Sequence, residues 1–168
     1  MLSYWLVLLA MSLRLLGGSG ILRVLARPVA LNLWLWGLLA LPVVLAFAFG
    51  PLANKLPLLT PTLLLLSAIL AIVNASLEEL FWRGVYADAF SSLWMAWLYP
   101  AIGFAWHFAP LSILPYKKGA VFFVLSAFLL GLCWGMVAFK TKSILWDIAS
   151  HFLVDLSGFG ALLYLGDK

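Results

Sequence analysis

Long apolar runs separated by short polar breaks constrain this chain more than any other feature of its sequence. A helix that crosses a bilayer needs about 20 mostly apolar residues, and about six runs reach or approach that length. In chain order they are 2–16, 29–49, 57–83, 92–114, 120–139 and 143–165. Only 10% of the residues are charged, whereas a soluble domain carries about 25%. We therefore predict an all-α, polytopic transmembrane helical bundle of about six membrane helices.

The same runs exclude several other classes of protein. A lipid-spanning barrel needs strand-scale alternation of polar and apolar residues, which these runs lack. No soluble domain, long linker or repeat interrupts them, so we predict that residues 1–168 form a single integral membrane domain. The ten Lys and Arg are scattered along the chain, and without a basic stripe we expect no binding to nucleic acid.

Ionisable side chains inside the apolar runs are few, and their spacing indicates a site. A charge at the bilayer centre costs about 2.5–3.5 kcal/mol even on mild insertion scales, so these groups are expected to meet one another. Glu79 and Arg83 are four residues apart, as are His151 and Asp155, and residues at that spacing are neighbours on one helix face. Glu78 points about 100° away from Glu79, so we expect it to face a cavity.

Two further polar residues belong to this set. His107 stands alone on the fourth run, and Asn74 precedes Glu78 by one turn, within reach of a hydrogen bond to it. Each group alone has a structural interpretation: a salt bridge at a helix end, a hydrogen-bonded core histidine, or a structural His–Asp pair. Their joint occurrence, in a chain with almost no other intramembrane charge, favours a functional site.

The order and spacing of these residues resemble three motifs of the CPBP family, the CAAX protease and bacteriocin-processing group. Residues 78–85, EELFWRGV, look like its EExxxR motif. Residues 102–107, IGFAWH, resemble its FxxxH motif, and residues 151–155, HFLVD, resemble HxxxN or HxxxD. The resemblance covers roughly half of the chain, from Asn74 to about Leu156.

Two positions depart from the family pattern. Gly103 stands four residues before His107, where the second motif has phenylalanine, and we expect this to affect packing more than chemistry. Asp155 ends the third motif where familiar members carry asparagine. A carboxylate cannot donate a hydrogen bond to an oxyanion unless it is protonated. Asp155 is therefore expected either to orient His151 or to stay neutral through burial.

The resemblance implies a glutamic-type intramembrane endopeptidase that uses no metal and no cofactor. It implies a four-helix catalytic core within a motif-bearing region of about 57–165, in a multi-pass protein of the bacterial inner membrane. The partners it implies are the lipid bilayer and a membrane-anchored protein or peptide substrate. The family includes prenyl-protein CAAX endopeptidases, bacteriocin maturation or self-immunity proteins, and proteases paired with bacterial C-terminal sorting tails. The small size of the chain resembles the last kind, but the sequence does not choose among the three.

The resemblance assigns the chemistry to six residues, Glu78, Glu79, Arg83, His107, His151 and Asp155. The first glutamate, helped by His107, would take the proton from a water that attacks the scissile carbonyl. His151, with Asp155, would stabilise the tetrahedral oxyanion. The second glutamate and the arginine would hold the geometry.

Three other functions stay open at this stage. Two Glu, two His and one Asp are a reasonable ligand set for zinc or iron, although an HExxH sequence is absent. The cavity could instead bind a peptide or partner without cleaving it, as a bacteriocin self-immunity protein would. A small transporter with a proton relay also places Glu and His in the membrane, but transporters usually show internal repeats and none is visible.

Overall fold

The computed structural model describes residues 1–26, 30–49, 59–104 and 120–166, and within these ranges every regular element is helical. The α-helices described are α1 (Leu2–Val24), α2 (Leu33–Phe49), α3 (Pro61–Glu79), α4 (Tyr86–Ala89), α5 (Tyr99–Phe104), α6 (Ala120–Thr141) and α7 (Leu145–Gly166). Two π-helical segments accompany them: Leu80–Val85 joins α3 to α4, and Trp94–Leu98 leads into α5. The predicted all-α fold is confirmed for these residues.

Three helical stretches in the described part of the chain are long and apolar enough to cross a bilayer: Leu2–Val24, Pro61–Ala89 and Phe123–Thr141. Their outer faces carry large exposed apolar side chains, such as Leu22 at 72% and Leu65 at 61%. Apolar faces of this extent are compatible with lipid rather than with water. The chain is therefore an integral membrane protein. The run 92–114 extends beyond the described residues, and the total of six spanning helices stays a prediction.

A bend divides α1 at Gly17, whose φ of 63° and ψ of 175° are not helical. Glycine is essentially the only residue that adopts this combination without strain. The sequence predicts a first helix that ends at residue 16, followed by a glycine-rich break. In the structure a single glycine makes the bend, and the helix resumes and continues to Val24.

The second long stretch begins with α3, and its start is fixed by local chemistry. The Thr60 hydroxyl accepts a hydrogen bond from the Leu63 amide at 3.2 Å, and Pro61 occupies the first turn; both features favour helix initiation. The helix thus begins at Pro61 rather than near residue 57, and the helical stretch runs to Ala89 rather than to residue 83. The π-helical segment directly follows Glu79, and such segments are frequent at functional sites.

The site lies where α3 packs against α7, the most extensive helix contact in the described structure. Helix α1 runs along the π-helical segment that follows α3. Its C-terminal end is held by a hydrogen bond from the Ile144 amide to the Val24 carbonyl at 2.9 Å. An ion pair between Arg23 and Asp88, at 3.0 Å, lies at the same end.

Candidate active site

A buried carboxylate, Glu79, joins α3 to α7. Its Oε1 atom lies 3.1 Å from Arg83 Nη1 and 2.7 Å from His151 Nδ1. The exposed fractions of the Glu79, Arg83 and His151 side chains are 0%, 0% and 3%. The structure thus has Glu79 and Arg83 paired, as their four-residue spacing indicates. Because a carboxylate only accepts hydrogen bonds, Nδ1 donates to Glu79, and Nε2 is the nitrogen that faces the rest of the site.

Two other carboxyl groups face His151 Nε2. Glu78 Oε2 lies 3.7 Å from this nitrogen, and Asp155 Oδ1 lies 3.4 Å from it. Glu78 is 2% exposed and Asp155 is 18% exposed, so the aspartate is on the more open side of the ring. The neighbouring glutamates therefore contact opposite nitrogens of one imidazole, and the structure brings five of the six predicted site residues together.

Helix α1 also reaches this site, a contact that the sequence does not predict. The Tyr4 hydroxyl donates a hydrogen bond to Glu78 Oε1 at 2.8 Å. The neighbouring Trp5 donates from Nε1 to Asn74 Oδ1, also at 2.8 Å. Asn74 in turn donates from Nδ2 to Asp155 Oδ2 at 2.9 Å. The side-chain hydrogen bonds described for Asn74 thus go to Trp5 and Asp155, whereas the sequence suggested a bond to Glu78.

An indole ring from α6 supports both basic groups of the site. Trp134 stacks on the His151 ring, with 4.3 Å between centroids and 19° between planes. Arg83 Cζ lies 5.3 Å from the Trp134 ring centroid, a distance at which the ring attracts a cation. Trp134 Nε1 donates to Ser150 Oγ at 3.0 Å, and the Ser150 hydroxyl donates to the Leu39 carbonyl at 2.7 Å. These bonds fix the ring between α2 and α7.

A further carboxylate, Asp147, lies one turn before His151 and was not assigned to the site from the sequence. It is fully buried and interacts electrostatically with Glu79, Arg83 and His151. Within the described part of the chain, neither of its oxygens has a hydrogen-bond partner. A sequence signal exists for it, since residues 147, 151 and 155 recur at four-residue spacing and thus share one face of α7.

The remaining predicted site residue, His107, lies outside the described residues, but the start of its motif is described. A Cβ atom built on Gly103 would collide with the Trp82 ring. Because that ring fills the space beside the backbone, a phenylalanine at position 103 would not fit without rearrangement. The departure from the FxxxH pattern thus coincides with close packing against Trp82, a residue of the first motif.

The residue types of the site are also those that ligate zinc or iron. Among the residues that the structure describes, no group of three or more His, Cys, Asp or Glu side chains has the arrangement of a metal site. Since His107 is not among them, metal-free chemistry stays a prediction.

Fold and site together define an integral membrane protein with buried carboxylates arranged around one imidazole, a set of groups suited to acid–base catalysis. The chain belongs to the type II CAAX prenyl endopeptidase Rce1-like family, whose model matches residues 60–157. The match confirms the family predicted from the three motifs, and membership implies a protease. The matched range contains α3 and the site residues of α7, but α1 lies outside it. No curated protein and no solved structure matches the chain.

Proposed function

We propose that the chain is a glutamic-type intramembrane endopeptidase that hydrolyses a peptide bond of a membrane-associated protein or peptide. One observation carries the proposal: two adjacent glutamates have different partners around one imidazole. Glu79 is bound by Arg83 and by His151 Nδ1, whereas Glu78 faces Nε2 across 3.7 Å. A structural salt bridge needs only one of these glutamates, and we assign the second the role of general base.

In the proposed reaction Glu78, assisted by His107, takes a proton from a water molecule. The water oxygen forms a bond to the scissile carbonyl carbon, and the carbonyl oxygen becomes an oxyanion. When this tetrahedral intermediate collapses, the carbon–nitrogen bond breaks and the proton held by Glu78 passes to the leaving amine. A positioned carboxylate of this kind contributes roughly 10²–10⁴-fold to the rate.

The other groups stabilise the oxyanion and orient the His151 ring. His151 donates from Nε2 to the oxyanion, and a donor of this kind in a water-poor site is worth about 3–4 kcal/mol. Asp155, 3.4 Å from Nε2, orients the ring rather than donating to the oxyanion itself. Glu79, which is paired with Arg83, accepts a hydrogen bond from Nδ1, and the resulting fixed geometry is what makes proton transfer and oxyanion stabilisation effective.

The family supports a substrate that is cleaved near its C-terminus. Its description names CAAX prenyl endopeptidases, which act on C-terminal sequences that begin with a prenylated cysteine. We propose that this chain cleaves such a sequence or a related C-terminal sorting or anchor tail. The proposal places the enzyme in the bacterial inner membrane as one multi-pass domain of residues 1–168, with its motif-bearing core at about 57–165.

The first test measures cleavage of a farnesylated peptide that ends in a CAAX sequence, with the purified protein in liposomes. Glu78→Gln keeps the shape of the side chain and removes the base, so cleavage should fall by about 10²–10⁴-fold. The matched control is Asp88→Asn, an acid-to-amide change at a carboxylate that pairs with Arg23 at the other end of α1. It should leave the rate unchanged. Dialysis against a chelator should also leave the rate unchanged, and loss of activity would favour a metal site.

A second test covers substrates of unknown sequence. The membrane proteomes of the source organism carrying wild-type protein, Glu78→Gln or a deletion are compared by mass spectrometry for uncleaved C-terminal tails. Accumulation of the same uncleaved proteins in the variant and in the deletion supports proteolysis. If the deletion has a phenotype that Glu78→Gln lacks, and processing is unchanged in both, the protease proposal fails and a binding or self-immunity function replaces it.

A further inference from the structure

We infer that Tyr4 is a positioning residue for Glu78, and that α1 is therefore part of the catalytic apparatus as well as a membrane helix. This inference rests on the proposed function, because it adds a residue to the same site. The family match does not include it, since the matched residues begin at position 60.

The two oxygens of the Glu78 carboxylate are engaged from different helices. The Tyr4 hydroxyl, from α1, donates to Oε1 at 2.8 Å. His151 Nε2, from α7, lies 3.7 Å from Oε2. A hydrogen bond to an ionised carboxylate is shorter and roughly twice as strong as a neutral one. Donation to Oε1 therefore sets the rotation of the carboxylate about its last bond and directs Oε2 towards the imidazole, where the proposed reaction takes place.

A second hydrogen bond from the same turn of α1 fixes how α1 lies against α3. Tyr4 and Trp5 are adjacent, and they bond to Glu78 and Asn74, which are one turn apart on α3. Adjacent residues on a helix point about 100° apart, so both bonds form together only when α1 lies against α3 in one register. Asn74 also donates to Asp155, so the first turn of α1 is connected to both α3 and α7.

The opposite end of α1 is held independently of these bonds. The Ile144 amide donates to the Val24 carbonyl at 2.9 Å, and the Ser143 hydroxyl donates to the Ala26 carbonyl, just beyond this end, at 2.8 Å. Loss of the Tyr4 hydroxyl alone should therefore leave α1 in place. Tyr4→Phe keeps the ring and removes the donor, which separates an effect on the orientation of Glu78 from an effect on the packing of α1.

Cleavage of the farnesylated CAAX peptide in liposomes gives the kinetic test. For Tyr4→Phe we expect kcat to fall about 10- to 100-fold, the value of a hydrogen bond to a charged group, with KM unchanged because the substrate is not contacted. Tyr99→Phe is the matched control, since this tyrosine is 60% exposed on α5, and its kcat should equal that of the wild type. A fall in kcat for both variants, or for neither, would overturn the inference.

Infrared spectroscopy gives a test that needs no catalysis. The bands of the Glu78 side chain are those that disappear in Glu78→Gln, and they should shift in Tyr4→Phe but not in Tyr99→Phe. If the wild type cleaves neither this peptide nor any protein in the membrane-proteome comparison, and these bands still shift, the proposed protease function fails while the Tyr4–Glu78 contact stands. If the wild type cleaves the peptide and the bands of Tyr4→Phe are unshifted, the inference fails while the proposed function stands.

Discussion

Arg83→Met is the substitution that most directly tests the arrangement of the buried charges. Arg83 is fully buried, and its Nη1 atom lies 3.1 Å from Glu79 Oε1. Methionine keeps an unbranched apolar side chain in this space but removes the positive charge. Glu79 then stays in a water-poor environment without its arginine, and an uncompensated buried charge is much more costly than an intact pair.

The expected loss of stability in Arg83→Met depends on the partners that Glu79 keeps. Removing one partner of a buried ion pair costs about 3–5 kcal/mol. We expect the lower end, about 3 kcal/mol, because His151 Nδ1 still lies 2.7 Å from the same Glu79 oxygen. For a chain of this size each kcal/mol corresponds to about 2–4 °C in the unfolding midpoint, so the midpoint should fall by about 6–12 °C.

The assay is thermal unfolding of the purified protein in detergent, followed by the fluorescence of its nine tryptophans. Arg23→Met is the matched control, because Arg23 pairs with Asp88 at 3.0 Å but is largely exposed, so its midpoint should stay close to that of the wild type. The double variant Glu79→Gln/Arg83→Met should recover most of the lost stability, since the amide oxygen of glutamine still accepts a hydrogen bond from His151. A midpoint for Arg83→Met within about 2 °C of wild type, less than 1 kcal/mol, would refute the reasoning, as would a double variant no more stable than the single one.

Three further substitutions should change the same unfolding midpoint. Gly17→Ala should lower the free energy of unfolding by about 1–3 kcal/mol because of the positive φ of 63° at this position. Its control is Gly18→Ala, where a Cβ meets nothing within 4 Å and no destabilisation is expected. Equal midpoints for the two variants would show that the bend is unstrained. Gly103→Ala should lower the free energy of unfolding by about 1–3 kcal/mol by overpacking against the Trp82 ring. Its control is Gly37→Ala, in open space on α2. A wild-type midpoint for Gly103→Ala would show that the ring moves aside. Asp147→Leu should raise the midpoint by removing a buried carboxylate with no described hydrogen-bond partner, and a lower midpoint would show that its charge is compensated.

The part of the site that the sequence predicts is the part formed by neighbours on one helix. Glu79 and Arg83, and likewise His151 and Asp155, are four residues apart, and helix geometry alone makes each pair adjacent. The scarcity of charge in an apolar chain then indicates that the two pairs meet, because isolated charges in lipid are costly. In the structure they meet at the contact of Glu79 with His151 Nδ1.

Contacts between distant helices have no comparable signal in the sequence. Tyr4 and Glu78 are 74 positions apart, and Trp134 reaches His151 from a different helix. The chain contains nine Trp and five Tyr, and aromatic residues are common near membrane interfaces for reasons unrelated to any site. No single aromatic residue therefore stands out until the helices are packed.

Helix boundaries differ from the predicted ones for a different reason. Run length and hydropathy locate an apolar segment, but they do not reveal where its backbone departs from α-helical geometry. Gly17 bends α1 without ending it, and the π-helical segment Leu80–Val85 carries the second stretch past residue 83 to Ala89. In both places the helical stretch continues although its local backbone geometry changes.

The location of the site also bears on how the helices stay together. Lipid is as apolar as the outer faces of the helices, so hydrophobic burial contributes little to their association, which depends on close packing and on hydrogen bonds between helices. In this chain some of those contacts belong to the site: Glu79 bonds with His151 across α3 and α7, and Tyr4 bonds with Glu78 across α1 and α3. Residues that perform the proposed reaction therefore also hold the bundle together. A fall in activity after substitution of Glu79 is consequently ambiguous unless stability is measured too. Tyr4→Phe, which leaves the Glu79 contacts and the Val24 end of α1 intact, is the change at this site best suited to separate chemistry from assembly.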